Sequence, residues 1–220
     1  MKPTLNKKRY IPALRFHCLT RFYDVLIRNF LKEEKIKNLL MRQAQIKLGQ
    51  RVLDLGCGTG TLTILLKKNY PDATVIGLDS DPKILEIARN KATLAGVNIE
   101  FREGMAFEPQ FASGYFDRVV SSLVFHHLST NDKKKTLRAI RELLKPQGEL
   151  HIVDWGKARN IIMRIAFLPV QIFDGFETTT DNVQGHLPEF MEEAGFISVA
   201  ETCGVMTLLG TLSLYRGLKA

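Results

Sequence analysis

The stretch Arg51-Val-Leu-Asp-Leu-Gly-Cys-Gly-Thr-Gly60, followed by Val75-Ile-Gly-Leu-Asp79, decides the fold class. The apolar run Val52 to Leu55 reads as a buried strand. It breaks into glycines at alternate positions, Gly56, Gly58 and Gly60, and then into a helix-like segment, Thr61 to Asn69. A second apolar strand ends on an acid, Asp79. Glycine permits positive φ and close approach of backbone to a ligand. The helix start beyond offers N–H groups with no partner in the helix. An acid at the tip of the next strand can accept both hydroxyls of a ribose. These features describe a nucleoside-binding βαβ unit.

Spacing narrows the nucleoside. A dinucleotide loop reads G-x-G-x-x-G, its third glycine letting the helix pack close beneath a pyrophosphate. Here the glycine after Gly58 comes one residue early, and Thr61 stands where Gly or Ala is wanted. The phosphate-loop ending Gly-Lys-Ser/Thr is also missing. The run V-L-D-L-G-C-G-T-G instead resembles the first motif of the class I S-adenosylmethionine-dependent methyltransferases. That resemblance implies S-adenosylmethionine as cofactor, with Asp54 near its methionine amino end and Asp79 on its ribose. The donor site it implies comprises Asp54, Gly56, Cys57, Gly58, Thr59, Gly60, Asp79, Ser80, Met105, Ala106 and Ser121. Many relatives carry Gly-Asp-Ala after the third strand; here Gly104-Met105-Ala106 has Met105 in place of the acid. Packing and main-chain groups would then hold the adenine.

At 220 residues and 45% apolar content the chain can bury one good core. Cys18, Cys57 and Cys203 form no C-x-x-C pair, which fits neither a disulfide framework nor a zinc site and suits a reducing cytosol. Cys57 reads as a small side chain that fits the loop. No secretory signal and no membrane-spanning apolar run are evident, so the expected location is cytoplasmic, with peripheral membrane contact. Residues 1–51 hold 13 of the 31 Lys and Arg but 3 of the 23 Asp and Glu, a net of +10, so the excess of +8 lives there. Such asymmetry points to an anionic surface, lipid or nucleic acid, or to a solvated helix face. No recognisable RNA-binding module accompanies the basic arm, so nucleic acid is not the expected partner.

Residues 1–12 carry two prolines and read as an arm. Helical spacing recurs over 13–29 and 32–46, closed by Gly49. Residues 1–48 are thus a basic arm with lid helices, and 49–220 the catalytic domain. Strands are expected near 51–55, 74–79, 98–102, 117–123 and 148–154, and helices near 60–69, 82–95 and 131–145. Repeated βα units imply a parallel sheet. Leu143-Leu-Lys-Pro-Gln-Gly-Glu-Leu150 resembles the L-K-P-G-G segment that precedes the fifth strand in this class. Residues 156–181 read as an apolar, helical insertion interrupted by Pro169, and 186–194 as a last helix. Residues 196–204 and 207–217 alternate as a closing hairpin. The expected fold is α/β, a three-layer Rossmann-like methyltransferase fold with a seven-stranded, mostly parallel sheet, one antiparallel strand and an N-terminal helical lid.

Methyl transfer from a sulfonium is an in-line displacement, so the protein supplies alignment and dryness. No metal is needed and no ligand cluster is visible. Asp117 to Leu128 lacks the D/N-P-P-Y/F motif of methyltransferases that act on nucleobase or glutamine nitrogen. His126 and Asp154 are the candidate catalytic groups, since histidine titrates near neutral pH. Tyr23-Asp24 resembles the pair that closes over the donor in quinone-ring C-methyltransferases. Tyr23, His126 and Phe173 are the expected acceptor contacts. An apolar lid beside basic helices points to a small, lipophilic acceptor gathered at a membrane surface, with a quinone-type ring favoured and the ethanolamine head group of a phospholipid next.

Overall fold

The computed structural model describes residues 33–220. The expected helix over 13–29, and Tyr23 with it, lies outside the described residues. Helix α1 is Glu33–Ala44. Strand and helix then alternate: β1 Arg51–Leu55, α2 Thr61–Asn69, β2 Thr74–Asp79, α3 Pro82–Leu94, β3 Glu100–Glu103 and β4 Phe116–Ser122. A 3-10 turn, Phe125–His127, leads to α4 Thr130–Leu143 and β5 Leu144–Trp155. Three short helices follow, α5 Ile161–Ala166, α6 Leu168–Asp174 and α7 Phe176–Gln184, then α8 Leu187–Glu193. The hairpin β6 Ile197–Thr207 and β7 Gly210–Leu218 completes the chain.

The sheet order is β3-β2-β1-β4-β5-β7-β6. β1 through β5 pair in parallel, and β7 runs antiparallel to both β5 and β6. The order reverses between β1 and β4, which opens a crevice at the carboxyl ends of those strands.

Side chains alternate across a strand, and here both faces are covered. Val52, Val120 and Val153 face Leu40 and Ala44 of α1 and Leu62 and Leu66 of α2. Leu53, Val119 and Ile152 face Leu137 and Ile140 of α4 and Met191 of α8. A buried arginine is tolerated within β4 because Arg118 Nε donates to the Ala44 carbonyl at 3.0 Å, capping the end of α1.

Two boundaries differ from expectation. β5 begins at Leu144 rather than near 148, because Leu144 pairs with Phe116 before the register shifts between Phe116 and Arg118. The insertion is three helices, not one broken at Pro169. That proline falls in the first turn of α6, where its missing N–H costs nothing, and the break comes at Phe167.

Candidate active site

The glycine loop is folded by its own backbone. Gly56 and Cys57 N–H both donate to the Leu78 carbonyl, at 2.8 and 2.9 Å, fixing the loop to the end of β2. Gly56 sits at φ +70, and a Cβ there would lie 2.3 Å from Val124 Cγ2, so only glycine lets the turn after β4 pass this close. Gly58 at φ +52 is the opposite case, because a Cβ there would meet nothing within 4 Å. The space above it is open. Helix α2 has no side-chain cap at Gly60, so its first N–H groups face that space.

Asp79 ties the loop to the next turn. Its Oδ2 accepts from Gly58 N–H at 2.9 Å and its Oδ1 from Asp81 N–H at 3.1 Å. A carboxylate has about four lone-pair sites, so acceptor capacity remains. Ser80 follows it, half-buried. The Asp79 carbonyl accepts from Gly104 N–H at 2.9 Å, which brings Met105 and Ala106 to the same rim. Thr59 and Thr61 hydroxyls accept from Lys91 Nζ of α3, at 3.1 and 2.7 Å.

Asp54 and Cys57 lie beneath the loop. Asp54 is 1% exposed and accepts from Thr63 Oγ1 at 2.6 Å. Burial pushes its pKa up to about 6, against the Thr63 hydrogen bond and the charge of Lys37 from α1. Burial, then the charges of Asp54 and Asp79, push the Cys57 thiol far up, so it packs rather than reacts. Ser121 is fully buried and donates Oγ to the Leu55 carbonyl at 3.0 Å.

Across the crevice, β4 and β5 end side by side, with Ser122 opposite Val153. Leu123 then adopts φ +59, a left-handed conformation that costs roughly 1–3 kcal/mol in a side-chain-bearing residue. That turn aims the Val124 and Phe125 N–H groups at Asp154 Oδ2, at 3.0 and 2.7 Å. Asp154 Oδ1 accepts from Trp155 N–H at 2.7 Å and Asn182 Nδ2 at 3.3 Å, and lies 2.7 Å from His126 Nδ1. Burial raises the Asp154 pKa, but the charge and hydrogen bond of His126 outweigh it and the net shift is down. An ionised Asp154 fixes the proton on His126 Nδ1 and turns Nε2 toward the insertion, 3.8 Å from Asp174 Oδ2. Burial disfavours the His126 imidazolium, yet Asp154 and Asp174 together raise its pKa above the ordinary histidine value.

The insertion is pinned over this pair. Thr130 Oγ1 and Lys133 Nζ donate to Asp181 Oδ2 at 2.7 and 3.0 Å, and Asn182 Nδ2 also reaches the Trp155 carbonyl at 3.1 Å. Phe167 packs on Trp155 with ring centroids 5.0 Å apart, whereas Phe173 is 54% exposed. The structure therefore brings His126, Asp154 and the α6–α7 segment together. Asp154 is completely buried and reaches outward only through His126. Asn182, Lys37 and Lys91 carried no sequence signal, being single polar residues on helices.

A methyltransferase-domain family model matches residues 52–148. The demethylmenaquinone methyltransferase of Thermus thermophilus is 32% identical, the match covering 77% of this chain and 80% of that protein. The chain belongs to the S-adenosylmethionine-dependent methyltransferases. It is also similar to the ubiquinone/menaquinone biosynthesis C-methyltransferase of Proteus mirabilis, at 28% identity over 97% of this chain and 92% of that one. Among solved structures, the methyltransferase SibL superposes with a TM-score of 0.69 at 20% identity, covering 89% of this chain. The phosphoethanolamine N-methyltransferase 2 of Haemonchus contortus does so at 0.67 and 16%. The chain spans 58% and 52% of those two proteins.

The residues present fit the methyl donor of this family. The open space over Gly58, the uncapped α2 and the spare acceptor capacity of Asp79 together suit an amino-acid nucleoside with a ribose diol. Asp54 adds a pH test. Its pKa is about 6 in the folded state against about 3.9 unfolded. Stability from the protonated form is therefore full below pH 4 and is lost as pH rises through 6. The loss amounts to roughly 2–3 kcal/mol. Asp54→Asn removes the buried charge, so the ligand-free variant is expected to melt at higher temperature than the parent at pH 8 and to match it at pH 4. Equal melting temperatures at pH 8 would show that Asp54 is already neutralised in the fold.

Among the described residues, one group brings metal-ligand types together: His126, His127 and Asp174, with ligand atoms within 4.8 Å. Asp154 and Asp174 raise the His126 pKa, whereas burial and the neighbouring His126 lower that of His127 to about 3.

Proposed function

We propose that this methyltransferase transfers the methyl group to a ring carbon of a small lipophilic phenol of the quinol type. The observation that supports it most directly is the His126–Asp154 pair. A quinol attacks through ring carbon only once its hydroxyl begins to lose a proton, and a histidine oriented by a carboxylate at Nδ1 is suited to take it at Nε2. The two relatives agree in chemistry, one a demethylmenaquinone methyltransferase and the other a C-methyltransferase of ubiquinone and menaquinone biosynthesis.

S-adenosylmethionine supplies a sulfonium-activated methyl group. In this reading Asp79 and Ser80 would hold the ribose, Met105 and Ala106 the adenine, and Gly56 to Gly60 the methionine part. Asp54 and Ser121 shape the floor of the site. His126 accepts the phenolic proton as the ring carbon forms its new bond, and Asp154 keeps the imidazole in the reactive tautomer. The ring carbon then sheds its own proton and aromaticity returns. Phe173 and the insertion form an apolar wall that keeps water from the reacting carbon, and Tyr23, outside the described residues, is a further acceptor contact in this reading.

The alternative is N-methylation of a phosphatidylethanolamine head group, favoured by the net +10 of residues 1–51. Incubation with radiolabelled S-adenosylmethionine and either reduced demethylmenaquinone or phosphatidylethanolamine vesicles separates the two. Label in the quinone supports the first reading, and label in the lipid alone replaces it by the second. Label in neither sinks both.

A further inference from the structure

We propose that helices α5 and α6, with the β6–β7 turn, form a surface that docks onto an anionic lipid bilayer. This inference goes beyond the acceptor's identity and does not rest on it.

The two helices are apolar on both sides. Their inner side carries Phe167 and Val170, buried at 3% and 1% exposure. Their outer side carries Ile161, Ile165, Leu168 and Ile172 at i, i+4, i+7 and i+11, exposed at 71%, 58%, 38% and 68%. Amphipathic helices on a protein surface turn one apolar stripe inward, and an apolar outer stripe has no role in the core. Nine of the 13 exposed large hydrophobic residues lie on this insertion and the adjacent turn, which makes one concentrated patch rather than scatter. The turn belongs to the same patch. Asn160 at the start of α5 donates to Met206 Sδ at 3.9 Å, and Met206 and Leu208 are 61% and 67% exposed.

Charge identifies the occupant. The first half of the insertion carries three cations, Lys157, Arg159 and Arg164, and its carboxylates, Asp174, Glu177 and Asp181, all follow Phe173. Arg159 pairs with Glu201 at 3.4 Å. Lys157 and Arg164 have no acidic partner among the described residues, and one Arg164 guanidinium nitrogen is shielded from solvent without an acceptor. Apolar side chains flanked at one end by cations match the interface of a bilayer, where acyl chains lie just beneath anionic phosphates. Helices of 6 and 7 residues are far too short to cross it, and no described helix is long and apolar enough to do so. They lie in its plane.

The test is co-sedimentation of the full chain with vesicles of phosphatidylcholine alone, or mixed with phosphatidylglycerol. The parent is expected to sediment with the mixed vesicles and to release as salt rises. The triple variant Ile161→Ser/Ile165→Ser/Ile172→Ser is expected to lose about tenfold or more of that binding while keeping donor affinity and far-ultraviolet dichroism, because all three side chains are already in water. Lys157→Gln/Arg164→Gln is expected to narrow the difference between the two vesicle types, the basic residues 1–51 retaining part of it. A parent that stays in the supernatant overturns the proposal, as does a triple variant that binds like the parent. A concentration-dependent dimer abolished by the triple variant also overturns it, because the face would then belong to a second copy.

Discussion

His126→Asn is expected to lower kcat for methyl transfer by about 10²-fold or more, the range of a lost general base. Donor affinity is expected to stay within about twofold, because His126 lies across the crevice from the glycine loop. The pH profile separates a proton acceptor from a structural residue. His126 must be neutral at Nε2 to work, and Asp154 with Asp174 raises its pKa. Parent kcat should therefore climb as pH rises past the ordinary histidine range, while the residual rate of the variant stays flat. Stability runs the other way. The His126 charge stabilises the fold below its unfolded pKa, and that contribution fades as pH rises through the raised value. Asp154, with its depressed pKa, contributes above the ordinary aspartate range and loses that contribution in acid. The pair holds the fold best in the window between them, and the rate should peak on its alkaline side. A variant with the parent's kcat and pH limb would remove His126 from the chemistry.

Asp79→Ala is expected to weaken binding of S-adenosylmethionine and of its demethylated product by about 1–3 kcal/mol, roughly 5- to 150-fold. Two losses add. The ribose hydroxyls lose their acceptor, and the Gly58 and Asp81 N–H groups lose the carboxylate that now orders them. Asp79→Asn keeps one carbonyl oxygen and should fall between parent and alanine. Calorimetry with both ligands checks this. Unchanged affinity would place the ribose elsewhere on the rim.

The donor side was legible because its residues are constrained by backbone. Gly56 and Gly58 need positive φ, and an acid at the end of β2 has few other uses, so type and spacing suffice. His126 and Asp154 were each visible as polar residues at strand ends. Their pairing was not, because they lie 28 positions apart and meet only through the register of β4 on β5. Asn182, which completes the shell of Asp154, sits in Thr178-Thr-Thr-Asp-Asn182 on α7 and looks like any solvated turn of helix. The early start of β5 was hidden for another reason. Lys145-Pro-Gln-Gly148 carries turn chemistry, and a bulge absorbs it without ending the strand. The insertion's helical character followed from its apolar spacing, but one of its two breaks falls at Phe167, packed on Trp155, and the other at Gly175, at φ +100.

Most side-chain hydrogen bonds from the insertion to the rest of the domain pass through Thr178, Asp181 and Asn182, which meet α4 and β5. N-terminal to them in the insertion the polar ties are few, chiefly Arg159 to Glu201 and Asn160 to Met206, and apolar packing, which is tolerant of shape, does the rest. A lineage could therefore exchange α5 and α6 for a segment of different length and keep the methyl-donor apparatus intact, provided Asp181 and Asn182 survive. In the proposed reading, the acceptor wall becomes a replaceable cassette clipped to a fixed engine. Transplanting residues 156–177 between relatives would read out directly which part of the chain chooses the recipient.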